Sequence, residues 1–584
     1  MGKLKKRSKL SQQRRKQNQL LPGDNKSNKK LENKEVQKIT PLISQLSASA
    51  TNDRSIALST ILLLCDNDPQ SRKLFLKNNL VKILLTKLIH DESDEIVVDA
   101  YGLLRNLIIE EGYDLSVHLW RSDIWTALEA DFKKAMQSLP HINDEKVSST
   151  RKALLIDYID NLISCLGSLS TEVSIQLFDE NILPKLQQSG ILKFIFELIE
   201  KRVSNKLTLT ALEFLYDLST LSFHFIELFA NEPSAIELLS NIEDSTLSVL
   251  SQVYLVGLKF QIMEFKGELT DAKSDDVLID SILGKLDSLY KAKVDLKTTV
   301  EQLDAPLNPK PTKEEENALR QAKNNFKLID LLLDLYTTII EVKGEQQVVS
   351  PSSVSKETKQ RLSAFFSTGL APFLSDLITT NFKNSKILVC LNNLSLYLSS
   401  LDLVDESYIT FLTQVGSVIA KDFNETLAAT VGDDVNLDTI SDELNFLLFY
   451  DQAQGKISAD AKLVSLLITL SNAIDFNNHE ANQIIQFSTV LISYLTLIGK
   501  GCDSIDTTQE ISKFIVDTQL LGPIKLYKSF RNTSELHKKF KFLVEYTLLN
   551  SINAIFEMFD DDYPYNRPVF HEGGLLKIHQ VQED

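Results

Sequence analysis

The residue types that do covalent or metal chemistry are present in this chain but do not gather into a reactive pattern. The eight histidines are scattered. His571 stands beside Glu572, yet the second histidine that would close a zinc site of the HExxH kind is missing. Cys65, Cys165, Cys390 and Cys502 stand apart from one another, most of them inside apolar runs, with no CxxC pair, and are read as small core residues. No GxGxxG or GxxxxGKS/T loop is present to wrap a phosphate, and no GxSxG turn to raise a nucleophile. The expectation is a protein without a catalytic site, a metal or a cofactor.

Charge is the chemistry that remains, and it is unevenly spread. Residues 1 to 30 hold eleven Lys/Arg against Asp24 alone, a net +10 in a chain whose total is −17, which leaves the body at −27. A basic segment almost free of aromatic residues cannot bury enough apolar surface to fold, whereas an acidic body repels nucleic acid and attracts basic partners. The two ends therefore point to two classes of partner. The N-terminus is polar beyond its first lysines and lacks the roughly 7 to 15 apolar residues of a secretory signal, so the cell interior is the expected compartment. No charge-free apolar run approaches the roughly 20 residues of a membrane helix, and no membrane partner is expected.

Acidic side chains recognise a ligand only if something lines them up, and the sequence supplies helices to do so. With 19 glycines and 14 prolines in 584 residues, turn formers are scarce. From about residue 34 the apolar residues recur near a period of 3.6. In NDRSIALSTILLLC, SDEIVVDAYGLLRNLI and LTLTALEFLYDLS an alanine precedes a leucine by seven: Ala57 and Leu64, Ala100 and Leu107, Ala211 and Leu218. The first two copies lie 43 residues apart. A companion helix follows at the same displacement, Leu80, Val81 and Leu84 recurring as Ile124, Trp125 and Leu128 and again as Ile191, Leu192 and Ile195. Helical units with a period in the low forties are the mark of armadillo and HEAT arrays, in which each unit buries its apolar face on its neighbours. The predicted fold is all-α, an armadillo/HEAT-repeat superhelical solenoid with a disordered basic N-terminal tail.

The expected organisation is a tail over 1–33, armadillo-type repeats over 34–262, an acidic helical or loop insertion over 263–325, and HEAT-type repeats over 326–584. Residues 136 to 150 are expected to form an inserted loop, and the stretches 264–325 and 344–360 to be irregular. On the helix that holds Ala100, Leu103, Leu104 and Leu107, a spacing of 100° per residue places Glu95, Asp99, Gly102 and Asn106 in a polar stripe beside the buried one. The matching stripe one clear repeat later holds Glu213 and Asp217. Trp120 and Trp125, five residues apart, are candidates for core filling or, for Trp120, for lining a peptide groove. Glu95, Asp99, Asn106, Trp120, Glu213 and Asp217 are thus the candidate groove residues. A second acidic stretch, 425 to 460, carries eight Asp/Glu against Lys456 alone and, with the acid-rich 264–304, is a candidate second surface.

Two runs, SRKLFLKNNLVKILLTKLI and EIVVDAYGLLRNLIIEEGYDLSVHLWRSDIWTALEADF, resemble the fungal symportin family, synchronised-import adaptors related to human HEAT-repeat-containing protein three. The C-terminal FDDDYPYNRPVFHEGGLLKI, Phe559 to Ile578, is similar to that family's closing motif. The resemblance implies a shuttling nuclear-import adaptor and dedicated chaperone, found in cytoplasm and nucleus. Its implied partners are a transportin-type karyopherin and the two large-subunit ribosomal proteins that accompany 5S RNA, with the RNA reached only through the cargo. One cargo would lay a basic N-terminal segment in the armadillo groove, where asparagines commonly bond an extended backbone. The import signal maps to Lys5, Lys6, Arg7, Arg14, Arg15, Lys16 and Pro22, although Gly23 follows where the family's pattern has tyrosine or leucine. The tryptophan usual one turn before the groove asparagine is also replaced, by Gly102. The alternative readings are a karyopherin-like receptor or a general HEAT/armadillo scaffold.

Overall fold

Several of the long helices begin where the sequence offers a cap. Ser148, Ser204 and Ser248 precede three of them and accept hydrogen bonds from the backbone N–H of Arg151, Leu207 and Ser251, which satisfies donors a helix start otherwise leaves open. Asp94 and Glu95 occupy the first turn of a fourth, where negative charge suits the helix dipole. That helix ends at Gly112, whose φ of 67° is open to glycine at little cost.

The computed structural model describes residues 39–142, 147–242, 246–269, 278–305, 312–349, 356–429, 436–455, 461–474, 481–522, 524, 535–559, 567 and 569. Among these, every regular element is helical. They form two compact units that divide between Lys293 and Val294, a point inside the segment 263–325 for which an insertion is predicted.

In the first unit five helices stack side by side as a ladder: α1 (Thr51–Asn67), α2 (Asp94–Glu111), α3 (Ser149–Thr171), α4 (Asn205–Leu221) and α5 (Val249–Phe265), each packing on the next. Shorter helices, among them Ile124–Ser138 and Ile191–Lys201, form a second row behind them. The second unit repeats the plan with α6 (Lys313–Val349), α7 (Lys386–Ser400), α8 (Leu437–Gln454), α9 (Ala481–Gly501) and α10 (Glu535–Met558). This is the all-α armadillo/HEAT-type architecture. Ala57, Ala100 and Ala211 are fully buried, which accounts for the recurring alanine: only a small side chain lets the stacked helices close up.

Three expectations about loops are corrected. Helix continues through residues 136 to 141, because Ala135 and Leu139 extend the buried stripe of Phe132; only 143–146 of the predicted loop lie outside the described residues. The stretch 264–325 contains the helices Gly284–Lys293 and Leu296–Asp304 and the start of α6, while 306–311 of its proline-rich break lie outside the described residues. Likewise α6 runs on to Val349 and a helix begins at Lys356, since Glu, Lys and Gln are strong helix formers even where no apolar stripe marks them.

Three helical stretches are long and apolar enough to cross a membrane by length and composition, Ser149–Thr171, Lys359–Thr379 and Asn482–Gly501, which the sequence reading did not anticipate. The first coincides with α3 and the last falls within α9, each packed between two ladder neighbours. Burial on both flanks accounts for their composition. All four cysteines are free and buried, and burial pushes the thiols of Cys65, Cys165 and Cys390 up to about 12.

Candidate functional site

Among the residues of α2 left at least partly open to solvent, Glu95, Asp99, Asn106 and Ile109 fall on one line, as the helical spacing predicts. The equivalent line on α4 holds Lys206, Leu209, Glu213 and Asp217, and on α3, between them, Asp157, Asn161, Ser164 and Ser168. Stacked side by side, these three lines make one continuous face, polar except at Leu209 and Ile109.

Its electrostatics are acidic. Burial raises the pKa of the half-buried Asp99 carboxyl, and the charges of Glu95 and Asp157 raise it further. Asp99 therefore sits in a field of like charge. Lys206 places its ammonium 2.7 Å from Asp157 and 2.9 Å from Asp160 on α3. Burial alone would lower the Lys206 pKa, but the hydrogen bonds to those two carboxylates outweigh it and hold it above its usual value. On the far side, the Tyr254 phenol of α5 is driven well above its ordinary value, first by burial and then by the charges of Glu213 and Asp217. Glu213 and Asp217 thus belong to one end of the face and Glu95 and Asp99 to the other, with α3 bridging them.

Asp157 and Asp160 escaped the sequence reading. They sit in LLIDYIDNLISCLGSL, an apolar run without the alanine signature that marks α1, α2 and α4. The available signal was two acids three residues apart in an otherwise apolar helix, a spacing that puts both on one face.

Asn106 is fixed within the protein. Its amide donates to Asp66 at 2.9 Å, and its carbonyl oxygen accepts from Arg105 Nε and Nη2 at 2.9 and 2.8 Å. Arg105 also reaches Asn161 at 3.4 Å, and Asn161 donates to the Val98 carbonyl at 3.0 Å. A polar strap therefore crosses from α1 to α3 along the floor of the face. It also explains Gly102: a Cβ there would meet Asn161 Nδ2 at 3.2 Å, so the space a larger side chain would need is taken by the neighbouring rung.

Trp120 is not part of this face. It lies on the helix Tyr113–Arg121 of the second row, its ring 6.2 Å from that of Trp125 in an edge-to-face pair. Lys185 lies 5.9 and 5.6 Å from the two ring centroids, a favourable place for a cation. The candidates Lys5, Lys6, Arg7, Arg14, Arg15, Lys16 and Pro22, and most of the closing motif after Phe559, lie outside the described residues.

Of the described acids in the second acidic stretch, Glu425 is exposed and Asp438 partly so, but most of those on α8 are enclosed rather than open to solvent. Asp442, Glu443 and Asp451 are buried within α8, Tyr494 donating to Asp451 at 3.1 Å. Gln483 binds Asp438 at 2.9 Å, and Asp433, Asp434 and Asp460 lie outside the described residues. The reason is position: α8 is a ladder helix flanked by α7 and α9, so acids on its flanks are enclosed. Among the described residues no group of three or more His, Cys, Asp or Glu is arranged to hold a metal ion.

No family model matches the chain. Among curated proteins it is 29% identical to Synchronized import protein 1 of Saccharomyces cerevisiae, over 99% of this chain and 92% of that one. It is 30% identical to the Schizosaccharomyces pombe protein Syo2, described as an armadillo repeat protein involved in nucleocytoplasmic transport, over 37% and 31%. Symportin 1 of Chaetomium thermophilum matches at 28% over 23% and 20%. Among solved structures, Kap95p with RanGDP aligns over 96% of this chain and 68% of its own at 12% identity and a TM-score of 0.38. The karyopherin Kap121p with a Cdc14p C-terminus aligns over 91% and 54% at 12% and 0.39. The chain is thus similar to the synchronised-import proteins known as symportins, aligning along 99% of its length with the Saccharomyces cerevisiae protein.

Proposed function

We propose that this protein is a nuclear-import adaptor and dedicated chaperone. Its first unit holds a basic segment of one large-subunit ribosomal protein of the 5S ribonucleoprotein, its second unit holds the other, and its basic N-terminal tail links the load to a transportin-type karyopherin. The observation that carries the reading is the acidic face on α2, α3 and α4, in a chain that matches a synchronised-import protein from end to end. Ribosomal proteins are strongly basic and need a counter-surface until they meet RNA. A row of carboxylates on a rigid ladder gives such a surface without sequence-specific chemistry.

Trp120 and Asn106 take different parts in this picture from the carboxylates. Asn106 holds the floor of the groove in place, and Trp120 braces the second row. The tail, with Lys5, Lys6, Arg7, Arg14, Arg15, Lys16 and Pro22, supplies the karyopherin epitope.

The test is crosslinking of the full chain to its co-purifying partners, read by mass spectrometry, alongside a chain lacking residues 1 to 30. Crosslinks from α2 to α4 to a basic segment of a ribosomal protein, retained after the tail is removed while nuclear accumulation is lost, are the expected result. Ribosomal proteins absent from the isolated complex, or crosslinked only away from this face, would overturn the reading.

A further inference from the structure

The polar face of the first unit has two unlike rims. Toward the N-terminal halves of α2 and α3 lie Glu95, Asp99 and Asp157, while on α4 Glu213 and Asp217 carry the acidic charge further toward the C-terminal end. At the C-terminal ends of the ladder helices stands a row of large apolar side chains: Leu63 on α1, 62% exposed; Ile109 on α2, 38%; Ile175 just after α3, 52%; and Phe223 just after α4, 66%. The Phe223 ring lies 5.4 Å from that of Phe265 at the end of α5, so the row reaches the fifth rung. Single exposed hydrophobic residues need no explanation, but one at the same end of each successive rung forms a line.

We propose that this row is the second rim of the peptide groove, and that the segment received there is extended and two-faced, with basic side chains along one edge and large apolar side chains along the other. The proposal rests on the reading that the acidic rim receives a basic segment, and adds what the same segment carries on its opposite edge.

Dimensions support it. Packed helices lie about 8–10 Å apart, so the three intervals from α1 to α4 span roughly 24–30 Å. An extended chain advances about 3.3 Å per residue, and eight or nine residues cover that length. Successive side chains of such a chain point to opposite sides, which is the alternation two parallel rims require. Along α2, Asp99 and Ile109 are separated by about 15 Å at 1.5 Å per residue, a width that one extended chain fills when its side chains reach outward to both rims. Between the rims, Asn106 and Asn161 are already tied into the strap with Asp66, Arg105 and Val98. With its floor committed in this way, the groove has its selectivity at the rims.

The experiment titrates the full chain with three eight-residue peptides: alternating Lys and Leu, alternating Lys and Ser, and four Lys followed by four Leu. The alternating Lys–Leu peptide should bind at least tenfold tighter than either of the others. The Ile109→Ser/Phe223→Ser double variant, both positions being exposed, should bring it down to the level of the Lys–Ser peptide; Ile175→Ser serves as a second variant should the first pair alter the melting curve. Equal affinity of the wild-type chain for the Lys–Leu and Lys–Ser peptides, or a preference that survives the substitutions, would overturn the apolar rim while leaving the acidic one standing. Tight Lys–Leu binding indifferent to salt would instead overturn the acidic rim and keep the apolar one. If no peptide binds, both fall.

Discussion

Lys206 in the first turn of α4 lies 2.9 Å from Asp160 on α3, and it also holds Asp157 one turn away at 2.7 Å. The second unit repeats the device: Lys386 at the start of α7 bridges Asp330 and Asp334 of α6, each at 2.6 Å. A lysine entering one rung thus clamps two acids on the rung before it. The Asp160 side chain is 9% exposed and that of Asp157 49%, and this difference decides their worth. Exposed pairs contribute about 0–1 kcal/mol, whereas removing a buried partner costs more.

Asp160→Asn should therefore lower the stability of the first unit by about 1–2 kcal/mol, and Asp157→Asn by less than about 0.5 kcal/mol. The Lys206→Met/Asp160→Asn double variant should cost less than the sum of the two single changes, because the second removes the buried charge that the first leaves unpaired. Urea unfolding of the parent and the four variants measures this. Strict additivity would show that the clamp is incidental to the stacking of α3 and α4.

Charge reversal on the polar face tests recognition apart from stability. Asp99→Lys with Asp217→Lys places a cation on each of two rungs of the acidic face. It should weaken binding of a basic ribosomal-protein segment about tenfold or more, through lost attraction and new repulsion. Raising the salt concentration should weaken the wild-type complex and affect the double variant less. Calorimetric titration at two ionic strengths reads both effects. Unchanged affinity alongside an unchanged melting curve would move the binding site to other helices.

The line Glu95, Asp99, Asn106 was legible in the sequence because α2 follows the alanine signature and a regular helix repeats its faces every 3.6 residues. The rung α3 was not. Its interior is filled by Ile159, Ile163, Cys165 and Leu166, and with α2 beginning at Asp94 and α3 at Ser149 its spacing departs from the regular period. Periodicity thus located the helices one at a time but could not say that the carboxylates of α3 complete the rim, since that depends on which helix stacks on which. The acids of α8 show the converse: their composition reads as surface, and only the flanking rungs reveal that Asp442, Glu443 and Asp451 are enclosed.

Gly102 provides a test of the strap. Alanine there would bring its Cβ to 3.2 Å from Asn161 Nδ2, a clash that a small shift of the amide relieves, while helix propensity gains about 1 kcal/mol. Gly102→Ala should be close to neutral. Gly102→Trp restores the residue common in other armadillo grooves but displaces Asn161, breaking its 3.0 Å bond to the Val98 carbonyl, and should cost about 1–3 kcal/mol. Thermal melts of the two variants compare them directly. A tryptophan variant as stable as the parent would mean that the strap is dispensable.

Glu443 is the place where pH should register in stability. Burial, then the charges of Asp422 and Asp442, pushes its carboxyl from 4.5 up to about 7, and its Oε2 has no hydrogen-bond partner. The folded chain therefore keeps a proton that the unfolded chain releases above about 4.5. Because the folded state then binds more protons than the unfolded state, stability from this group is complete below that value and is lost as pH rises toward and through about 7. Full loss of the proton corresponds to roughly 3 kcal/mol. Glu443→Gln keeps the shape of the protonated form and cannot ionise, so it should raise the melting temperature of the second unit by several degrees at pH 8 and leave it unchanged at pH 4. Melting curves of both chains across that range decide the matter. An equal gain at both pH values would assign the effect to packing, and no gain at pH 8 would show that Glu443 ionises in the folded chain without penalty.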